Sequence, residues 1–150
     1  MANENVVSIQ MDVKELEAVN KKVTEIKKAL QPYLIALKPV ERQKMMKMSD
    51  KTLPFVEKVM EYTRSTPEFI PAFMQVEEMN IDFKAMEDLR QIYREVEQLC
   101  KNLDDTIMLC GSEAYATALA YYNAVKQANK MNVPGAKSIY EDLSVRFQKK

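Results

Sequence analysis

Residues 85–125, AMEDLRQIYREVEQLCKNLDDTIMLCGSEAYATALAYYNAV, decide the fold because apolar side chains recur along them in steps of three and four. This period is typical of one helix face. The face comprises Ala85, Leu89, Ile92, Val96, Leu99, Leu103, Ile107, Cys110, Ala114, Ala118, Tyr121 and Val125. Taken literally, the pattern predicts one helix of about 50 residues, roughly 75 Å long. Because the chain offers no partner helix of comparable length, we expect a chain reversal between Asn102 and Ser112.

Two places in this stretch suit a reversal. In the first, Asn102 ends a helix and Asp104 or Asp105 caps the next one. In the second, Gly111 is the stop and Ser112 the cap. We favour the first because it leaves a final long helix comparable in length to the opening one.

The rest of the chain also favours helix. Only two glycines occur in 150 residues, and Met, Lys, Glu, Leu and Ala dominate. A chain of this length forms one ordinary domain. We therefore expect an all-α fold with a single domain at 1–150: an antiparallel bundle of four main helices with a short C-terminal helix, preceded by a flexible segment at 1–10.

The opening helix has a recognisable start. Asp12 and Glu15 have the spacing of a capping box, and Pro32 predicts a kink near the end of the helix. The apolar face that follows the cap consists of Val13, Leu16, Val19, Val23, Ile26, Leu30, Tyr33 and Leu37.

Further helix starts are marked by proline at or near the first helical position. Pro54 predicts a helix from about Leu53, Pro67 predicts another after Thr66, and Pro134 predicts the short C-terminal helix. The buried face expected for that last helix consists of Ala136, Ile139, Tyr140, Leu143 and Phe147.

A ridge of small side chains runs along the helix around residue 120, at four-residue spacing: Ser112, Ala116, Ala120, Ala124 and Ala128. Alanine is a strong helix former that suits an exposed surface, or the ridge allows close approach of the C-terminal helix or of a twofold mate. The opposite face is expected to be core. There Tyr115 and Tyr122, with Met108 nearby, are either packed core residues or the lining of a small apolar-ligand pocket. Both alternatives stay open.

Met45, Met46 and Met48 lie among lysines and arginine in a basic stretch. Flexible thioether side chains suit a contact surface for a partner, and they also suit the packing of a short helix. Between Glu77 and Glu97 the acids outnumber the bases, so the two stretches could form complementary surfaces.

The sequence gives little support for a catalytic function. The chain has no histidine, which removes the usual general base and the common zinc ligand. The neighbouring acids Asp104 and Asp105 diverge by about 100° on a helix rather than sharing a metal. We therefore predict no catalytic residue, no cofactor and no metal site; a carboxylate-based metal enzyme is the remote alternative.

Charge and compartment are consistent with an ordinary cytoplasmic protein. The 22 basic and 22 acidic side chains cancel, which gives no bias toward nucleic acid. No run suits a membrane span or a signal peptide, and Cys100 and Cys110 are expected to be reduced.

Three blocks carry a resemblance to other sequences: DKTLPFVEKVMEY (50–62), DDTIMLCGSEAYATALAYYNAVK (104–126) and NVPGAKSIYEDLSVRF (132–147). With them the chain resembles a group of small hypothetical bacterial proteins with no assigned activity. The resemblance implies a bacterial helical bundle and no mechanism. The functional hypothesis is a non-catalytic bundle that acts through protein contact, including homodimerisation, and the alternative is a small apolar-ligand-binding bundle.

Overall fold

The computed structural model describes residues 5–148, and these residues contain helices and no strand. The helices are α1 (Val13–Leu30), α2 (Pro39–Lys44), α3 (Leu53–Ser65), α4 (Val76–Lys130) and α5 (Ala136–Ser144). Short 3-10 turns occupy Gln31–Tyr33, Pro67–Phe69 and Val145–Phe147. The prediction of an all-α protein is confirmed.

Helix α1 begins where its cap predicts. The Glu15 amide donates to Asp12 Oδ1 over 2.8 Å, and the Asp12 amide donates to Glu15 Oε2 over 3.4 Å, which completes the capping box. The expected kink at Pro32 is wrong: α1 ends at Leu30, a 3-10 turn follows, and Leu34 is extended. Proline cannot donate a hydrogen bond to the carbonyl four residues back, and here the chain leaves the helix instead of bending it.

Helix α4 runs without interruption for 55 residues, so the reversal predicted between Asn102 and Ser112 is wrong. Asn102 was expected to end the first helix. Its side chain instead bonds to a residue one turn earlier in α4: Asn102 Oδ1 accepts a hydrogen bond from Gln98 Nε2 over 3.1 Å. Asparagine and glycine each cost a helix interior about 1 kcal/mol or less, and the strong helix formers around them tolerate that cost. One long helix replaces two, and the antiparallel four-helix bundle is not confirmed.

The chain divides into two units. One comprises the N-terminal residues up to Gln10 together with Glu95–Lys150, and the other is Met11–Arg94. Helix α4 contributes its first part to the second unit and its remainder to the first. The single-domain arrangement stays a prediction.

The flexible segment expected at 1–10 falls partly on residues 1–4, which lie outside the described residues. Residues 5–10 form no helix, and the Val6 amide donates to Glu113 Oε1 over 2.7 Å.

Two residues in the left-handed region make the turn from α4 to α5. Asn132 (φ 55°) follows the last turn of α4; its amide donates to the Asn129 carbonyl, and the Val133 amide donates to the Ala128 carbonyl. This is the Schellman arrangement that ends many helices. Gly135 (φ 84°) then precedes α5, so Pro134 lies just before the helix rather than inside its first turn. Similarly, Pro67 starts only a 3-10 turn, and the next α-helix begins at Val76.

Candidate functional site

The apolar face of α1 is exposed from Val13 to Ile26, and Leu30 at the end of the helix is half-buried. The exposed fractions are 71% for Val13, 49% for Leu16, 48% for Val19, 42% for Val23 and 51% for Ile26. No residue of α1 is buried. A helix face of this width normally lies against a core, whereas residues 5–148 leave this face of α1 uncovered.

The central part of α4 has a similar exposed face. Its apolar side chains are all exposed: Leu89, Ile92, Val96, Leu99 and Leu103. In the described part of the chain only Phe83, Val125 and Ala136 are buried. Two long apolar faces are therefore available for contact with another molecule.

The predicted core face near residue 120 forms the wall of an open groove instead. Tyr115 and Tyr122 both line this groove, which has a volume of about 570 Å³, whereas Met108 does not. The full lining is Ala114, Tyr115, Thr117, Ala118, Leu119, Tyr121, Tyr122, Leu143, Arg146 and Phe147. The expectation of a closed core on this face is wrong for Tyr115, which is 50% exposed.

An aromatic cluster closes one side of the groove. The Tyr122 ring lies 5.9 Å from that of Tyr140, nearly parallel to it, and 4.9 Å from that of Phe147. Partial burial, and then the neighbouring Tyr140 hydroxyl, raise the pKa of the Tyr122 phenol above its ordinary value. The cluster places the Tyr140 ring of α5 and the Phe147 ring of the following turn beside Tyr122 of α4.

Arg146 is the one ionisable cation in the groove lining, and sequence analysis missed it. It forms no ion pair with any residue in the described part of the chain. The sequence gives little indication of this position, because a single arginine in a short C-terminal segment is typical of an ordinary surface residue. Only the fold places Arg146 beside α4.

The small-residue ridge lies outside the groove lining. Ala116 and Ala128 are half-buried, while Ser112, Ala120 and Ala124 are exposed. Its role in helix packing or in a dimer stays a prediction.

The three methionines of the basic stretch, Met45, Met46 and Met48, differ in their surroundings. Met46 is fully exposed and Met45 is 49% exposed. Met48 is half-buried and lines a cavity of about 440 Å³ with Val56 and Phe83, among other residues. Packing therefore applies to Met48, and a partner contact at Met45 and Met46 stays a prediction.

A second apolar groove, of about 380 Å³, lies beside the end of α3 and was not predicted. It is lined by Val59, Tyr62, Thr63, Thr66, Phe69, Ile70 and Met74. The sequence signal was the apolar face of α3, and the 3-10 turn at Pro67–Phe69 supplies the other wall.

The inventory of reactive groups in residues 5–148 is short. In that range no three carboxylate or thiol groups come together in a way that could hold a metal ion. Cys100 and Cys110 are both free and exposed.

No protein-family model, curated protein or solved structure matches this chain. The resemblance to small bacterial proteins and the bacterial origin it implies stay predictions. None of the helices described here carries an apolar stretch sufficient to cross a bilayer.

Proposed function

We propose that this protein is a non-catalytic helical protein that acts through protein contact, and that it associates with a second copy of itself. The observation that carries the proposal is the exposure of the apolar faces of α1 and α4. Transfer of such surface out of water is the main driving force of protein association.

The exposed area supports the proposal quantitatively. The chain exposes 13826 Å², whereas a compact monomer of its mass of 17.4 kDa would expose roughly 7,900 Å² by the usual size scaling. Two separate compact halves would still expose only roughly 9,500 Å² in total. The excess of about 4,300 Å² is several times the roughly 800 Å² that each partner buries in a standard interface.

Size-exclusion chromatography with light scattering, run from low to high micromolar concentration, tests the proposal. We expect a mass of twice the chain mass of 17.4 kDa, with any monomer confined to the lowest concentrations. A strict monomer at high micromolar concentration would refute self-association.

A second candidate function is the binding of a small apolar ligand, and the groove that contains Tyr115 and Tyr122 favours it. Its volume of about 570 Å³ falls within the range of roughly 300–1,000 Å³ that is typical of ligand sites. Binding of a fluorescent apolar probe to the protein tests this second candidate. Ala118→Trp, which fills the groove, should reduce binding, and Ala120→Trp, which lies outside the lining, should not. Equal binding by the two variants would count against a ligand site here.

A further inference from the structure

The exposed faces of α1 and α4 have the same internal spacing. We call Leu16, Val19, Val23, Ile26 and Leu30 the α1 stripe, and Leu89, Ile92, Val96, Leu99 and Leu103 the α4 stripe. In both stripes the steps are three, four, three and four, and each stripe is about 21 Å long. Alternating steps of three and four are the pattern of coiled-coil pairing. Two stripes with the same order of steps match layer by layer when their helices run parallel.

The residues that flank the α1 stripe carry a net positive charge. In a coiled coil, the positions beside the apolar layers face the partner helix and set its identity and direction. Here they are Glu15, Asn20, Lys22, Lys27 and Ala29, with two lysines and one glutamate.

The corresponding positions beside the α4 stripe are acidic. They are Asp88, Tyr93, Glu95, Cys100 and Asn102, with two acids and no base. Asp88 already pairs with Lys84 on its own helix, whereas Glu95 and Lys27 have no ion-pair partner within residues 5–148. The charges beside the two stripes are therefore complementary.

We propose that α1 of each chain packs parallel and in register on the α4 stripe of a second copy, so that a twofold dimer contains two such pairs. Leu16 then lies beside Leu89 of the second copy, and Leu30 beside Leu103. Lys27 faces Glu95 of the second copy, and Lys22 faces Cys100. No like charges oppose each other. This inference rests on the proposed self-association and goes further by naming the two surfaces.

The exposure of both faces argues for a second copy rather than the same chain. Leu89 and Ile92 of the α4 stripe lie in the same unit as α1, and both are exposed there. Leu16, Val19, Val23 and Ile26 of the α1 stripe are exposed as well. Within that unit α1 therefore does not cover the α4 stripe, and a second copy supplies both surfaces.

Chemical crosslinking to the native Cys100 tests the pairing directly. In a Cys110→Ser background, Lys22→Cys should be joined to Cys100 by a short bis-maleimide and should give a band of twice the chain mass on a denaturing gel. The matched control is Lys21→Cys, which lies on the opposite side of α1 and should give no more dimer band than the Cys110→Ser parent. Circular dichroism checks that both variants fold alike.

The outcomes separate this inference from the proposed function. A crosslink confined to one chain, or equal crosslinking of the two variants, would overturn the pairing. If light scattering still gave a dimer, self-association would stand and only its surfaces would be wrong. A monomer in light scattering would overturn both.

Exchanging charges gives an independent readout. Lys27→Glu and Glu95→Lys should each weaken the dimer about 2- to 30-fold, because the exposed pair occurs twice in a twofold interface. The double variant should regain most of the loss, and Lys28→Glu, on the opposite face of α1, should change little. A double variant weaker than either single one would contradict the proposed contact.

Discussion

The two glycines provide the sharpest test of the fold, because the structure places them in opposite backbone conformations. Gly111 lies in the middle of α4, and a methyl group added there would have no atom within 4 Å. Gly135 has φ 84°, in the left-handed region. The same substitution to alanine should therefore have opposite effects at the two positions.

The magnitudes follow from these conformations. Gly111→Ala should raise the free energy of unfolding by about 0.5–1 kcal/mol, since alanine loses less backbone entropy in a helix and has open space there. Gly135→Ala should lower it by about 1–2 kcal/mol, the cost of a left-handed backbone for an L-residue. For a chain of this size, Gly111→Ala corresponds to a rise in Tm of roughly 1–4 °C.

Thermal and urea unfolding followed by far-UV circular dichroism measure both changes. All variants are compared at one protein concentration, because the stability of a self-associating protein depends on it. If Gly111→Ala destabilised the protein by about 1 kcal/mol or more, Gly111 would be the left-handed stop of a helix. That result would restore the chain reversal and refute the continuous α4.

Three further predictions concern the caps and the aromatic cluster. Asp12→Ala should lower the free energy of unfolding by about 1 kcal/mol in urea unfolding because the Glu15 amide loses its acceptor, and Asp12→Asn should retain most of the stability. Tyr122→Ala should lower the free energy of unfolding by about 2 kcal/mol in the same assay. This is less than the roughly 3–5 kcal/mol lost with a fully buried aromatic side chain, because Tyr122 is only half-buried. An unchanged free energy of unfolding would show that the cluster does not hold α5. In an ultraviolet pH titration Tyr122 should ionise above the ordinary tyrosine pKa of 10.0, and Tyr140→Phe should reduce the shift. Because the folded state then holds this proton more tightly than the unfolded state, the contribution of Tyr122 to stability is constant well below pH 10 and falls as the pH rises through and beyond that value.

The parts of the fold that depend on neighbouring residues could be predicted from the sequence. The start of α1 follows from Asp12 and Glu15, and the start of α3 from Pro54, because capping and proline geometry act within one helical turn. The apolar faces of α1 and α4 could also be predicted, since helix periodicity is a local property of the sequence. The amino-acid pattern alone therefore indicates which residues could face a partner.

The continuity of α4 could not be read in the same way. Asn102 and Gly111 are typical of helix ends, and each also tolerates a helix interior at a cost of about 1 kcal/mol or less. Such small local preferences do not decide between a turn and a helix. The prediction of a reversal assumed that the chain must bury its own apolar face, and the structure leaves that face exposed.

The sequence by itself determined where helices form and which side of each is apolar, because both depend on contacts within a few residues. Only the tertiary structure decided that Tyr122 meets Tyr140 and Phe147, that Arg146 joins the groove, and that the faces of α1 and α4 stay uncovered. The physical reason is that burial depends on which distant segments approach one another, and periodicity marks an apolar surface without specifying what covers it.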